Sequence, residues 1–284
     1  NLQSIAYVPE QKDFQKINNA TLEIKKYLKH IGLTEVINNS MISKDQIINS
    51  KLNEKDHIKL SNPISIELEY LRISLIPSLL SNIKNNLGKQ DSMMLFEIAK
   101  TFHRQKDDLP KETTKLTIMT NTNYFDLKGI IEALFSELNI TDVKFEEGTS
   151  ELLASKKQTK IKIKSKDVGT LGLINNDIRH NFGFSKNIYT TELNLFDIIQ
   201  ESKKLPQYKK LSSFSTIKLD LTVKNLNYED FKLKAFANSQ YLRDIQVLDK
   251  YQDNITFRLF FSSYVKNLTE KEALAELTKI KKAL

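Results

Sequence analysis

Apolar residues recur along the chain at two spacings, one typical of helices and the other of strands. Helical spacing predicts helices over 14–31, 67–87 and 125–138, and Pro77 is expected to kink or divide the second of them. Strands are predicted at 35–43, 93–102, 115–120, 160–164, 168–174 and 188–195. Because these strands follow one another without regular helical crossovers, the first 200 residues favour an α+β domain: a largely antiparallel sheet flanked by helices.

The end of the chain has a different pattern, in the order strand, helix, two strands and helix. These elements are predicted at 215–223, 228–237, 242–248, 255–261 and 268–284. Thr269 followed by Glu272 predicts a capping box at the start of the last helix. The order matches a ferredoxin-like βαββα unit without a last strand. We therefore expect domains at 1–200 and 213–284, joined by a polar, lysine-rich linker at 201–212.

Composition excludes several classes of protein. The 284 residues include no cysteine, so disulfides, thiolate nucleophiles and cysteine zinc sites are excluded. Four histidines are scattered along the chain, and no metal site is expected. No apolar run approaches the ~20 residues that span a bilayer, so no membrane partner is expected either. The chain begins at Asn1 without a signal-peptide pattern and is interpreted as a fragment of something longer.

Positive charge is concentrated in the last third of the chain. Residues 1–200 carry 27 basic and 25 acidic residues, whereas 201–284 carry 16 and 10. A small basic domain beside a near-neutral one indicates a polyanionic partner, although a general lysine bias would give the same excess. The candidate phosphate contacts are Lys209, Lys210, Lys218, Arg243, Arg258 and Lys266. Phe260, Phe261 and Tyr264 are candidates for base stacking, and strand alternation should bury at least one of them.

Motifs for catalysis are missing, and no catalytic residue is predicted. The sequence has no phosphate-binding loop and no G-x-S-x-G elbow. The segment from Gly169 to Gly172 is too short for the glycine-rich fingerprint of a dinucleotide-binding site, and it lies in a strand pattern. It is interpreted as a place where the sheet bends or another backbone approaches.

Several short segments, in order along nearly the whole chain, resemble one known family. They are LSNPIS at 60–65, LRISLIPSLL at 71–80, LFEIAKTF at 95–102, YFDLKGIIE at 124–132, GTLGLI at 169–174 and NLTEKE at 267–272. Together they resemble the bacterial phenylalanyl-tRNA synthetase beta subunit. The family's N-terminal half and the further strand that ends many members are missing here.

The resemblance implies an architecture and a function. Residues 1–200 would be a class II synthetase-like core that has lost activity and forms the alpha-subunit interface. Residues 213–284 would be a ferredoxin-like domain that contacts the anticodon stem-loop. The chain would be a non-catalytic part of cytoplasmic phenylalanine–tRNA ligase, an assembly of two alpha and two beta subunits that charges tRNA(Phe). ATP and Mg would be used by the complex, with no cofactor bound by this fragment.

Two alternatives to this interpretation remain open. One is a free-standing RNA-binding or assembly protein built from the same domains. The other is an active class II-type enzyme, which the missing ATP-binding motifs disfavour.

Overall fold

The computed structural model describes residues 12–106, 108–203, 212–224, 226 and 228–284, apart from the side chains of residues 12–15 and 229. Its contacts divide the chain into two compact units, Asn1–Pro206 and Gln207–Leu284. Each unit has hydrophobic clusters of its own. No helix among the described residues is long and apolar enough to cross a membrane.

The described part of the first unit has six helices and ten strands. The helices are α1 (Lys12–His30), α2 (Lys44–Asn49), α3 (Ile76–Asn85), α4 (Tyr124–Glu137), α5 (Asn176–Asn181) and α6 (Leu195–Glu201). The strands are β1 (Thr34–Glu35), β2 (Met41–Ile42), β3 (Ile58–Lys59), β4 (Tyr70–Leu71), β5 (Met94–His103), β6 (Lys111–Thr120), β7 (Val143–Glu147), β8 (Leu153–Ile163), β9 (Lys166–Ile174) and β10 (Tyr189–Asn194).

Seven of these strands form one mixed sheet in the order β1-β5-β6-β10-β9-β8-β7. All neighbours are antiparallel except β1, which runs parallel to β5. The sheet predicted as largely antiparallel is therefore a mixed sheet with one parallel pair. A parallel pair needs a long crossover, and the connection from β1 to β5 provides it, since it includes α3 and the small β2-β4-β3 sheet.

The two faces of the large sheet carry different helices. On one face, α1, α4 and α6 bury an apolar cluster that includes Ile24, Phe96, Ile131 and Leu193. On the other face, α3 covers one end of the sheet through Leu79 and Leu80. The rest of that second face carries polar side chains.

The prediction of a helix over 67–87 is wrong for the residues before α3, which begins at Ile76. The chain there forms a short 3₁₀ turn, Ile66–Leu68, and then β4. Arg72 continues the strand pairing, because its backbone N–H donates to Ser40 and its carbonyl accepts from Phe102. Pro77 lies in the first turn of α3, where a missing N–H costs little, so it begins a helix instead of kinking one. The leucines of α3 pack inside the unit.

The second unit has the predicted order of elements, with β11 (Ile217–Lys224), α7 (Tyr228–Ala237), β12 (Leu242–Tyr251), β13 (Asn254–Phe261) and α8 (Glu270–Ala283). Its antiparallel sheet has the order β11-β13-β12. Both helices pack on one face of this sheet. There Phe231 of α7 stacks on Phe257 of β13, with ring centroids 3.9 Å apart.

Candidate nucleic-acid interface

Within the described residues of the second unit, α7 and α8 both cover the same face of the sheet, and the opposite face is called the open face. Along β13, Phe257, Leu259 and Phe261 are buried beneath the helices. Arg258 and Phe260 alternate with them and therefore point to the open face. Of the three aromatic candidates, Phe261 is fully buried, as strand alternation predicted, while Phe260 is half-buried and Tyr264 is exposed.

Two of the candidate cations lie against aromatic rings of this unit. The Lys218 Nζ is 5.6 Å from the centroid of the Phe260 ring, its cross-strand partner. The Arg243 Cζ is 4.5 Å from the centroid of Tyr264. Within the described part of the chain, neither cation forms a salt bridge with a carboxylate. These pairs combine a positive charge with a stacking surface, a combination found in proteins that bind single-stranded nucleic acid.

Arg258 is placed on the same face but is held by a carboxylate. Its Nε and one Nη donate to the two oxygens of Asp220 at 2.8 and 2.9 Å. This bidentate bond lowers the pKa of Asp220 and raises that of Arg258. The pair neutralises the charge of Arg258 within the sheet.

Of the remaining candidates, the structure describes only Lys266. Lys266 donates to Glu272, the acidic member of the capping box that begins α8. Lys209 and Lys210 lie outside the described residues. Of the four described candidates, Lys218 and Arg243 are the two that lie against an aromatic ring and form no ion pair with a described carboxylate.

The capping box gives the second unit a predicted pH dependence. Glu272 accepts hydrogen bonds from Lys266 and from the backbone N–H and hydroxyl of Thr269, which lower its pKa from 4.5 to about 2. A depressed carboxyl pKa stabilises the folded state above pH 4.5, and this contribution is lost as the pH falls towards 2. We expect Glu272→Gln to remove that part of the acid sensitivity.

Circular dichroism of thermal unfolding between pH 2 and pH 5 measures this effect. Glu270→Gln is the control, since Glu270 lies in the same first turn but outside the capping box. Equal acid sensitivity in the two variants would contradict the role assigned to Glu272.

The polar face of the first unit's sheet carries a row of side chains across four strands. Glu97 of β5 faces Thr117 of β6, which faces Glu192 of β10, which in turn faces Thr170 of β9. Both carboxylates are engaged by donors within the unit. Glu192 accepts one hydrogen bond from the Ser74 hydroxyl and one from the Leu75 backbone N–H, each at 2.9 Å. Leu75 is the N-cap of α3 and has no side-chain capping bond, so Glu192 caps this helix instead.

Glu97 belongs to the buried ion pair of this face. The Arg72 Nη1 lies 3.0 Å from its carboxylate, and both side chains are only 1% exposed. Asn38 donates to both Glu97 oxygens, and Arg72 also donates to the carbonyls of Asn39 and Lys100. These bonds engage both oxygens of Glu97 and join it to Arg72 and Asn38.

Sequence reasoning assigned no role to Arg72, Glu97 or Asp220. A lone arginine inside an apolar segment indicates a buried ion pair, since a buried charge nearly always has a partner. The partner itself is 25 residues away for Arg72 and 38 residues away for Arg258. No group of three or more His, Asp or Glu side chains among the described residues is placed to hold a metal ion.

The solved structures to which the chain's fold is similar are class II-like aminoacyl-tRNA synthetases. The chain is similar to the solved pyrrolysyl-tRNA synthetase of Desulfitobacterium hafniense, with a TM-score of 0.55 and 13% identity over 65% of this chain and 68% of that one. Residues 5–195 match the family described as the phenylalanyl tRNA synthetase beta chain CLM domain. The chain belongs to this family.

Curated relatives extend the similarity into the second unit. The chloroplastic phenylalanine–tRNA ligase beta subunit of Phaeodactylum tricornutum is 29% identical over 92% of this chain and 41% of that protein. The beta subunit of Clostridium acetobutylicum is 27% identical over 89% of this chain and 35% of its own length. The chain therefore spans less than half the length of these relatives.

Proposed function

We propose that this chain is a non-catalytic part of the beta subunit of phenylalanine–tRNA ligase, assembling with an alpha subunit and binding tRNA(Phe). The observation that carries the proposal is the family match over residues 5–195, supported by relatives that align with about nine-tenths of the chain. The proposed complex has two alpha and two beta subunits. It acts in the cytoplasm and uses ATP and Mg²⁺ to attach phenylalanine to tRNA(Phe).

In this proposal, residues 1–200 are the catalytic-like module and residues 213–284 a ferredoxin-like anticodon-binding domain. The strand order β11-β13-β12 with two helices on one face supports the second assignment. On the polar sheet face, Glu97 and the Oε1 of Glu192 accept hydrogen bonds from donors within the unit, which supports a site for ATP and Mg²⁺ elsewhere in the complex. The proposal therefore places ATP and Mg²⁺ on the alpha subunit.

A cavity beside α1 supports assembly with another protein. It has a volume of about 530 Å³ and lies between α1, the end of α4 and Ser202–Lys203. Its floor is apolar, with Ala20, Ile24 and Leu134, and its rim carries both signs of charge. An apolar floor with a polar rim is the usual composition of a protein interface.

Co-purification with a phenylalanyl-tRNA synthetase alpha subunit, followed by an aminoacylation assay, tests this proposal. We expect a stable complex, and we expect Ala20→Gln to weaken it because the larger side chain fills the cavity. Asn18→Gln is the matched control, since Asn18 is an exposed residue of α1 outside the cavity. Absence of a complex, with tRNA binding retained by this chain alone, would favour a free-standing RNA-binding protein instead.

For RNA binding, we expect Lys218→Ala and Phe260→Leu each to weaken binding of a tRNA(Phe) transcript by about 1–3 kcal/mol, through loss of a charge or of a stacking surface. Fluorescence anisotropy at several salt concentrations measures both effects. Only Lys218→Ala should lower the slope of log K against log salt, by about one.

Lys271→Ala is the control for these variants, because Lys271 is exposed on α8 and therefore on the helical side of the unit. An equal loss in this control would remove the open face from the proposal. The contribution of Lys209 and Lys210 stays a prediction from sequence: replacing both with alanine should lower the salt slope by roughly two.

A further inference from the structure

The small sheet of the first unit belongs to a module with a core of its own. This small-sheet module, residues 41–71, contains β2, β3, β4 and α2. Its buried apolar side chains, Ile42, Ile47 and Tyr70, form a cluster separate from the clusters on the two faces of the large sheet. The small-sheet module is therefore not part of the core that holds the large sheet and its helices together.

Polar contacts join the small-sheet module to the rest of the unit. They are hydrogen bonds from Gln46 to Ser81 and from Asn181 to the Asn49 carbonyl, an ion pair between Lys51 and Asp177, and a hydrogen bond from Arg104 to the carbonyl of His57. Contacts of this kind depend on charge and on hydrogen-bond geometry, so a change of charge inside the module can weaken them.

One titratable side chain of the module is buried at such a contact. His57 is 1% exposed and lies between the 3₁₀ turn Glu54–Asp56 and β3. Its Nδ1 is 3.0 Å from the carbonyl oxygen of Asn53 and is assigned the proton, since a carbonyl only accepts. Its Nε2 is buried as well and has no hydrogen-bond partner among the described residues. The neutral ring fits this site, whereas a protonated ring would bury a second N–H and a charge without an acceptor.

The acidic groups near His57 offer a charged ring little compensation. The carboxylate of Glu54 already accepts from the Tyr70 hydroxyl at 2.6 Å and pairs with Lys44 at 2.9 Å. Asp56 is exposed, so solvent screens its charge. Neither carboxylate is hydrogen-bonded to the ring of His57.

The groups that face His57 from the large sheet are basic. They are His103, the last residue of β5, and Arg104, which follows it and donates to the His57 carbonyl at 3.1 Å. Positive charges on His57 and His103 repel each other. Burial lowers the pKa of His57 from its ordinary value of 6.5, and the Asn53 carbonyl and the two carboxylates oppose this shift without cancelling it.

We propose that the small-sheet module is a pH-sensitive element, in which protonation of His57 separates the start of β3 from the end of β5 and opens the module from the large sheet. The open form binds the proton more readily than the closed form. The stability of the closed form is therefore fully present above pH 6.5 and falls as the pH drops below this value. Hydrogen bonds from Tyr70 and Lys51 lower the pKa values of Glu54 and Asp177, so these carboxylates keep their charge in this range.

Hydrogen exchange of the full chain at pH 7.5 and pH 5.5 tests the proposal. Each rate is divided by the rate of the unfolded peptide at the same pH, so that only the opening equilibrium remains. We expect opening of residues 41–71 to increase about five- to tenfold at the lower pH, with β6 and β10 unchanged. His57→Asn should abolish this response, because asparagine can still donate to the Asn53 carbonyl but does not titrate. His180→Asn, which changes an exposed histidine of α5, is the control and should keep the response.

His103→Asn separates the two neighbouring histidines, since burial also lowers the pKa of His103. Loss of the response in this variant but not in His57→Asn would overturn the proposal, as would equal opening of the large sheet or no change between the two pH values. NMR of the histidine ring protons provides a second measurement that needs no variant. We expect His57 to titrate below pH 6.5 in the unaltered chain, and a His57 pKa at or above this value would also contradict the proposal.

Discussion

Replacing Arg72 with methionine is expected to destabilise the first unit by about 3–5 kcal/mol, because it leaves Glu97 buried without its cation. Both side chains are 1% exposed, so water cannot replace the lost partner. The substitution also removes the donors to the carbonyls of Asn39 and Lys100, which join the small sheet to β5. This pair is therefore expected to hold the small sheet on the large one.

Because the chain has two units, the loss is best measured segment by segment, by hydrogen exchange in increasing urea. Lys100→Met is the matched control: Lys100 pairs with Glu112 at 2.5 Å, but both side chains are exposed, and we expect a loss of at most about 1 kcal/mol. Combining Arg72→Met with Glu97→Leu should recover much of the stability, since no unpaired charge remains. A double variant less stable than Arg72→Met would contradict this account.

The second large effect is expected from Gly169→Ala in β9. A Cβ atom at this position would lie 2.2 Å from the carbonyl oxygen of Glu192 and 2.9 Å from the Cα of Leu193. These are backbone atoms of the neighbouring strand, which cannot move aside as a flexible side chain would. We therefore expect β9 and β10 to be forced apart, at a cost of about 1–3 kcal/mol in the stability of the first unit.

Gly129→Ala provides the control for this substitution. Gly129 is an exposed residue of α4 with no atom within 4 Å of an added Cβ, so alanine should stabilise the helix by up to about 1 kcal/mol. Urea unfolding followed by circular dichroism compares the two variants. Unchanged stability of Gly169→Ala would show that the strands can separate at little cost.

Much of the local structure could be predicted from the sequence. The helix predicted at 125–138 is observed as α4, and the Asn123 side chain before it accepts from the Asp126 N–H. The Thr269–Glu272 capping box is also confirmed. Such features depend on residues three or four positions apart, whose geometry follows directly from the helix itself.

Sequence reasoning was less successful where a segment's structure depends on distant partners. The leucine spacing at 67–87 predicted a helix throughout, but the backbone of Arg72 pairs with Ser40 and Phe102. The RNA candidates show the same limit. Nothing in the local sequence separates Lys218, beside an aromatic ring, from Arg258, which is neutralised by a carboxylate on the neighbouring strand.

By itself, the sequence determined the family, the order of most elements and the alternation that buries Phe261 beneath the helices. These follow from periodicity, from short motifs and from the resemblance that they carry. The tertiary structure alone decided which charges are paired and that Glu97 and Glu192 are engaged within the unit. The physical reason is that a charge's partner and a strand's neighbour are set by register across a sheet, which brings together residues far apart in the chain.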